Sequence, residues 1–206
     1  MNQSRPKVRR SRALGIPLTP KDVRYFERRP YPPGEHGRKR KNTSDYKTRL
    51  MEKQRLRAQY NIREKQMHRA YVEAKRVEGQ TGENLIALLE TRLDALVLRA
   101  GFVRTMAAAR QAVVHRHIMV DGQRVDRPSY RVRPGQTVHV HPRSEKMVPF
   151  QIAATGANQD VLPDTPAYLD VAIDRLQAKL TRKPQRSEVP VTCEEQLVVE
   201  YYARMA

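Results

Sequence analysis

Six histidines, one cysteine and a large surplus of arginine and lysine make up the reactive chemistry of this sequence. Four of the histidines form two His-x-His pairs, His115/His117 and His139/His141. Imidazoles at that spacing can ligate a metal, or they can stand on a surface and meet phosphates and bases. The second reading is the one taken here, and no metal is expected. Cys193, the one cysteine, excludes an internal disulfide and any Cys-cluster zinc site. The carboxylate pair Glu194-Glu195 stands at the start of a predicted helix, where the helix dipole accounts for it. Asp121-Gly122 is a turn signal rather than a catalytic aspartate, and there is no P-loop and no G-x-S-x-G elbow. Neither an enzyme nor a cofactor is expected.

What remains is the chemistry of binding anions. Lys and Arg number 40 against 22 Asp and Glu, giving a net charge of +18 and a pI near 10.5. Self-repulsion on that scale opposes compaction and calls for a polyanionic partner. Aromatic residues are few and Trp is absent. This points away from a base-stacking single-strand binder and towards recognition of phosphates and shape in folded RNA. The charge is uneven: residues 1–80 hold 23 basic and 8 acidic side chains (+15), and residues 81–206 hold 17 and 14 (+3). No apolar run is long enough for a membrane span, so no membrane partner is expected.

The elements that must position these groups are clearest between Thr91 and Val125. Leu93, Leu96, Val97 and Ala100 form one apolar stripe of a helix, with Thr91 as predicted N-cap, Asp94 as its capping-box partner and Gly101 at its end. Arg92 and Arg99 share a face beside that stripe. A second helix is predicted from Thr105, with Met106, Ala109 and Val113 inward and Ala108, Gln111 and His115 on another face, Arg110 at its edge. Its free N–H groups, with Arg104 just before them, form a predicted anion site. The basic triplet His115-Arg116-His117 follows, then a short strand Ile118–Val120 and a hairpin turn at Asp121-Gly122.

Residues 1–43 are predicted to be an extended basic arm. It contains Arg5, Lys7, Arg9, Arg10 and Arg12, and its prolines are expected to prevent regular structure. Gly34, His36 and Gly37 lie in a Pro-Pro-Gly-Glu-His-Gly segment whose glycines permit close approach to a phosphate chain, and Arg38, Lys39, Arg40 and Lys41 follow as four consecutive cations. Ser44 is a predicted N-cap for a helix from Asp45 to about Tyr60 that carries Lys47, Arg49, Lys53, Arg55 and Arg57. Further helices are predicted over Arg63–Glu78 and Thr81–Leu89. Tyr130–Val132 and Thr137–His141 read as strands around an Arg133-Pro134-Gly135 turn, with Val138 and Val140 inward. Residues 143–165 read as irregular, and Tyr168–Val171 as a strand. Arg182-Lys183-Pro184 and Arg186 form a second basic extended segment, and a last helix is predicted from near Thr192.

The stretch from Leu93-Asp94 through Gly101-Phe102, Arg104-Thr105, Ala109-Arg110-Gln111, the basic triplet and Ile118-Met-Val-Asp-Gly resembles the S4-type RNA-binding module. That module also occurs in pseudouridine synthases and tyrosyl-tRNA synthetases. The order PPGEHG, basic run, SDY, EKQRLRAQY, TGENL, LETRLDALVLRAGF, HRHIMVDG, PGQ and EEQLVVEYYAR extends the likeness over nearly the whole chain, which is similar to the S4 family of small-subunit ribosomal proteins in its cysteine-less form.

The resemblance implies an α+β fold: a mainly helical domain from the N-terminal half plus the C-terminal helix, with an inserted module of helices and a small antiparallel sheet. The expected boundaries are an arm over 1–43, a helical domain over 44–90 completed by 172–206, and the module over 91–171. It implies a protein of the cytoplasmic ribosome that binds the 5′ domain of small-subunit rRNA early and nucleates assembly. The fifth and third small-subunit proteins are implied neighbours, and messenger RNA is implied at the channel through which it enters, near Lys39, Arg40 and Lys41. Relatives with an N-terminal cysteine cluster bind a metal there. This sequence has no Cys in its first 43 residues, so its arm is expected to be ordered by RNA. The candidate RNA contacts are the arm cations and glycines named above, with Tyr46, Arg49, Lys53, Arg57, Arg92, Arg99, Arg104, Thr105, Arg110, Gln111, His115, Arg116, His117, Arg182 and Lys183. An RNA-modifying enzyme that uses the module as a tether, and a free RNA chaperone or repressor, are the competing readings.

Overall fold

The computed structural model describes residues 6–39 and 43–205. In chain order they form α1 (Lys7–Leu14), α2 (Pro20–Arg28), α3 (Asp45–Gln59), α4 (Glu64–Ala74), α5 (Thr81–Glu90), α6 (Leu93–Arg99), α7 (Met106–Val114), β1 (Ile118–Val120), β2 (Gln123–Arg124), β3 (Thr137–Val140), α8 (Pro142–Glu145), α9 (Val148–Ala154), β4 (Leu169–Ala172), β5 (Gln177–Leu180) and α10 (Glu195–Ala203), with 3-10 turns at Ile173–Arg175 and Arg186–Glu188. The α+β class holds, with helices and one antiparallel sheet. Among the described residues no helix is long and apolar enough to cross a membrane.

The chain divides into two compact units, Met1–Tyr71 with Val191–Ala206, and Val72–Pro190. This differs from the expected boundaries. Helix α5 and residues 172–190 fall in the second unit because α5 packs on α6 and β5 pairs between β3 and β4.

In the first unit the expected extended arm is corrected. Residues 7–14 and 20–28 are helical, because the prolines start helices instead of preventing them. Pro6 occupies the N-cap position of α1. Pro20 is the first residue of α2, where its missing N–H costs nothing. Ser11 Oγ donates to Asp22 Oδ2 at 2.8 Å and locks α1 to α2. Leu14, Ile16 and Ala58, with Leu18 and Met51, form the apolar cluster of this region. Ser44 caps α3 by accepting from the Lys47 N–H, as predicted. Helix α10 packs along α3 and begins at Glu195, later than expected. Tyr71 stacks on Tyr202 with centroids 4.9 Å apart, and Leu56, Tyr60 and Met67 are almost fully buried.

In the second unit the strand order is β2-β1-β3-β5-β4, and every pairing is antiparallel. Val120 pairs with Gln123 across Asp121-Gly122, whose positive φ values of 47° and 79° make the predicted two-residue turn. Val138 and Val140 point inward, as predicted. Three local expectations are corrected. Thr91 does not cap α6: it ends α5, its hydroxyl donating to Leu88 O, and Arg92 stands at the α6 N-cap. Tyr130–Val132 makes only a bridge, with Leu93 N–H donating to Tyr130 O and Val132 N–H to Thr91 O. Residues 143–165 are not irregular throughout, since prolines again open α8 and α9.

Candidate nucleic-acid interface

Helix α7 starts where predicted: Thr105 Oγ1 accepts from the Ala108 N–H at 3.2 Å. Met106, Ala109, Ala112 and Val113 face the core. Arg104, Ala107, Gln111, Val114, His115 and Arg116 are exposed. The loop before α7 is held by Asn158, which is 3% exposed. Its amide donates to Gly101 O at 2.7 Å, and its carbonyl accepts from Arg104 Nε at 2.8 Å. The stem of Arg104 is thus fixed at the amino end of the helix. Asn158 was not legible as a site residue, because it lies 57 residues beyond Gly101 in a segment without periodicity.

At the other end, Arg116 adopts φ 62° and the chain turns off the helix, with Arg116 N–H donating to Val113 O and His117 N–H to Ala112 O. That turn sends His115 and Arg116 outward. Arg116 also pairs with the exposed Asp126 at 3.1 Å. His117 is tucked inward, its Nδ1 2.9 Å from Ser144 Oγ and its ring edge-on to Phe150. Burial and the neighbouring His115 hold its pKa below the ordinary value. His141 caps α8, Nδ1 accepting from the Arg143 N–H, with its Nε2 2.6 Å from Arg124. Among the described residues, no three His, Cys, Asp or Glu side chains gather to hold a metal.

Several predicted RNA contacts lie elsewhere. Arg92 is 6% exposed and grips the fully buried Asp94 with two hydrogen bonds. Arg110 reaches the same carboxylate at 3.1 Å. Arg99 pairs with the fully buried Glu90, which also accepts from Tyr168 Oη at 2.7 Å. These arginines neutralise buried acids and brace α6 and α7. Only Arg110, part-exposed at the edge of α7, also borders the outward face. Arg182 forms a two-pronged pair with Glu188, and Lys183 donates to Asn84 at 3.0 Å.

The first unit carries the other candidates. Arg12 Nε donates to Arg29 O and Tyr31 O at 3.1 and 3.0 Å. The Tyr31 ring lies under two guanidinium groups, those of Arg12 and Arg38, at 4.9 and 4.7 Å. The Arg38 hydrogen bond to Tyr31 holds the phenol below its ordinary pKa. The Pro32–Gly37 loop closes on itself, Gly37 N–H donating to Gly34 O. A Cβ at Gly37 would stand 2.0 Å from Pro32 O, so this glycine serves the loop's own backbone rather than an approach to phosphate. Residues 6–39 thus make contacts of their own within the chain, through Arg12, Tyr31 and Arg38. Lys7, Arg9, His36, Arg38 and Lys39 remain exposed, as does Tyr46. Arg5, Arg40 and Lys41 lie outside the described residues. Lys53 is buried against Glu64 at 2.9 Å and over the Tyr201 ring, and Arg49 pairs with Glu200 at 2.6 Å. Arg57 stands 3.7 Å from Glu64 and close enough to Arg10 to lower that group's pKa, after burial itself.

Residues 2–90 match the family model described as the ribosomal protein S4/S9 N-terminal domain, and residues 91–138 match the S4 domain. The small ribosomal subunit protein uS4 of Micrococcus luteus is 72% identical over 203 residues, covering 98% of each chain. Those of Arthrobacter sp. (strain FB24) and Pseudarthrobacter chlorophenolicus are 72% and 70% identical over the same span. The chain belongs to the uS4 family. The S4 domain match runs from the end of α5 into β3, so it holds α6, α7 and the first hairpin, while the compact unit around it continues to Pro190. In this uS4 chain the match brackets both ends of α7, with Arg104 at one and His115-Arg116 at the other.

Proposed function

We propose that this chain is a structural constituent of the small ribosomal subunit that binds small-subunit rRNA. In this reading it docks early on the 5′ domain and nucleates assembly, in the cytoplasmic ribosome. The observation that carries it is the solvent face of α7. From Arg104 through Gln111 to Arg116 the exposed side chains include cations, an amide, an imidazole and small residues, and no carboxylate. Such a face offers phosphate contacts at both helix ends and close approach between them. The names of the relatives support the ribosomal setting.

The finer parts of the proposal rest on the resemblance. They are contacts with the fifth and third small-subunit proteins, an influence on decoding accuracy, and Lys39, Arg40 and Lys41 beside incoming messenger RNA. The chain is taken to be the metal-free form of the family, its arm folded on the Arg12–Tyr31–Arg38 stack.

Binding to the isolated 5′ domain of small-subunit rRNA, against an unrelated folded RNA across a salt series, tests the reading. A preference of about a hundredfold, or about 2.7 kcal/mol, that survives high salt is expected. Equal affinities collapsing together with salt would overturn it in favour of a general RNA chaperone.

A further inference from the structure

The second unit carries a surface whose charge is the reverse of the α7 face. From Met147 to Asp174 the chain has no Lys, Arg or His, in a protein that holds 40 Lys and Arg among 206 residues. The charged residues of that stretch are Asp160, Asp164, Asp170 and Asp174, all exposed. Asp174 stands 3.8 Å from its neighbour Arg175, and Asp170 is in register with Lys179 across β4 and β5. Among the described residues no cation stands within ion-pair distance of Asp160 or Asp164.

The same stretch exposes apolar side chains. Val148 and Ile152 stand at i and i+4 on α9, 65% and 41% exposed, with Met147 just before them and Val161 beyond. Phe150 and Ala153 face inward, so the outward side of α9 is fixed. The pieces of the surface are held together. Helix α9 packs on the Ile173–Arg175 turn. Gln159 and Ile173 both border Gly101, each 3.8 Å from the place of its Cβ. Asp160 and Val161 follow directly on Gln159. Apolar side chains and uncompensated carboxylates thus share this part of the unit.

The charge selects the occupant. RNA phosphates and anionic lipid headgroups would meet carboxylates here and no cation. A second copy of the chain is opposed by mutual repulsion, at +18 on each. A protein segment with bulky apolar side chains flanked by Lys or Arg meets both features. Its apolar groups cover Val148 and Ile152, and its cations face Asp160 and Asp164. We propose that the Met147–Asp164 surface, centred on α9, docks a cationic, apolar segment of another protein. The proposal goes beyond the RNA-binding reading and uses none of its candidate contacts.

The test uses cells that make the full chain with the photoreactive residue p-benzoylphenylalanine in place of Ile152. They are irradiated, and the cross-linked peptides are identified by mass spectrometry in the fraction where the chain sediments. The expected product joins Ile152's position to a peptide of another protein in which apolar residues adjoin Lys or Arg. Asp160→Asn combined with Asp164→Asn should lower the yield by about threefold or more, as should high salt, because opposite charges hold the partner. Val148→Ser should lower it by a similar factor, about threefold, through loss of an apolar anchor. These variants should melt like the parent, since the side chains are exposed. Cross-links to RNA, cross-links to a second copy, or no cross-link would overturn the proposal. So would a yield that neither the aspartate variant nor Val148→Ser changes. The same probe at Val114, 50% exposed on α7, reads the RNA-binding reading separately. RNA caught from Val114 with no protein caught from Ile152's position leaves that reading standing and sinks the docking surface. The converse result keeps the docking surface and counts against the RNA-binding reading.

Discussion

Arg92 donates from Nε and Nη2 to the two oxygens of Asp94, at 2.9 and 2.8 Å, and Asp94 has no solvent exposure. With Arg110 on the same carboxylate, one buried acid ties the start of α6 to the middle of α7. Removing one partner of a buried pair strands the other charge, at about 3–5 kcal/mol. Asp94→Ala and Arg92→Glu are therefore expected to lower the urea midpoint of the second unit steeply. A midpoint within experimental error of the parent would mean that these charges are solvated in the folded chain.

His115 is the contrasting case. It ends α7 with its side chain in solvent. His115→Glu should lower the melting temperature only slightly, as a carboxylate at the negative end of a helix does when exposed, and weaken binding to the 5′ domain of rRNA by several-fold, by placing a carboxylate among phosphates. Parallel thermal melts and titrations decide it, and unchanged affinity would remove this end of α7 from the interface.

Acid should loosen the first unit through Glu64. Burial pushes its carboxyl up, but the hydrogen bonds from Tyr202 at 2.6 Å and Lys53 at 2.9 Å, with the charges of Lys53 and Arg57, outweigh burial and leave the folded pKa below the ordinary 4.5. The folded chain thus holds this proton less readily than the unfolded one. The stabilisation is complete above 4.5 and is lost as pH falls through the lower folded value. The thermal midpoint should decline on acidification below that point, and Glu64→Gln should make the decline shallower. An identical acid limb in the variant would assign the loss to other carboxylates.

Gly37→Ala should open the loop that turns from Tyr31 to Lys39. The added Cβ meets the Pro32 carbonyl at 2.0 Å, so the backbone must move. Faster limited proteolysis between residues 32 and 39, with the core of the first unit unchanged, is expected. Equal cleavage rates would show that the loop does not need this close approach.

Local signals in the sequence translated well into structure. Ser44 and Thr105 cap helices because a cap is decided within three residues, and Asp121-Gly122 turns the chain because two residues decide a hairpin. The apolar stripes of α6 and α7 are buried as their spacing implies. Proline misled the reading at Pro20, since the same residue that breaks a helix interior starts a helix when it comes first. The site was less legible than the fold. An arginine on a charged face and an arginine over a buried carboxylate look alike in sequence. Arg92 and Arg99 differ from Arg104 only in having Asp94 and Glu90 beneath them, and no spacing rule announces that. Strand β5 was equally hidden, because its partners β3 and β4 are distant in sequence or reached through a tight turn.

Gln59 and Thr192 exchange two hydrogen bonds, at 2.9 and 3.1 Å, across 133 positions of chain, and α10 lies along α3. During synthesis from the amino end, the residues of Val72–Pro190 all emerge between these two partners. The second unit can thus complete itself while α3 still lacks the helix that covers it. A nascent chain stalled before Val191 would carry the Arg49–Lys53 side of α3, which Glu200 and Tyr201 cover in the folded chain, exposed until translation brings α10 within reach.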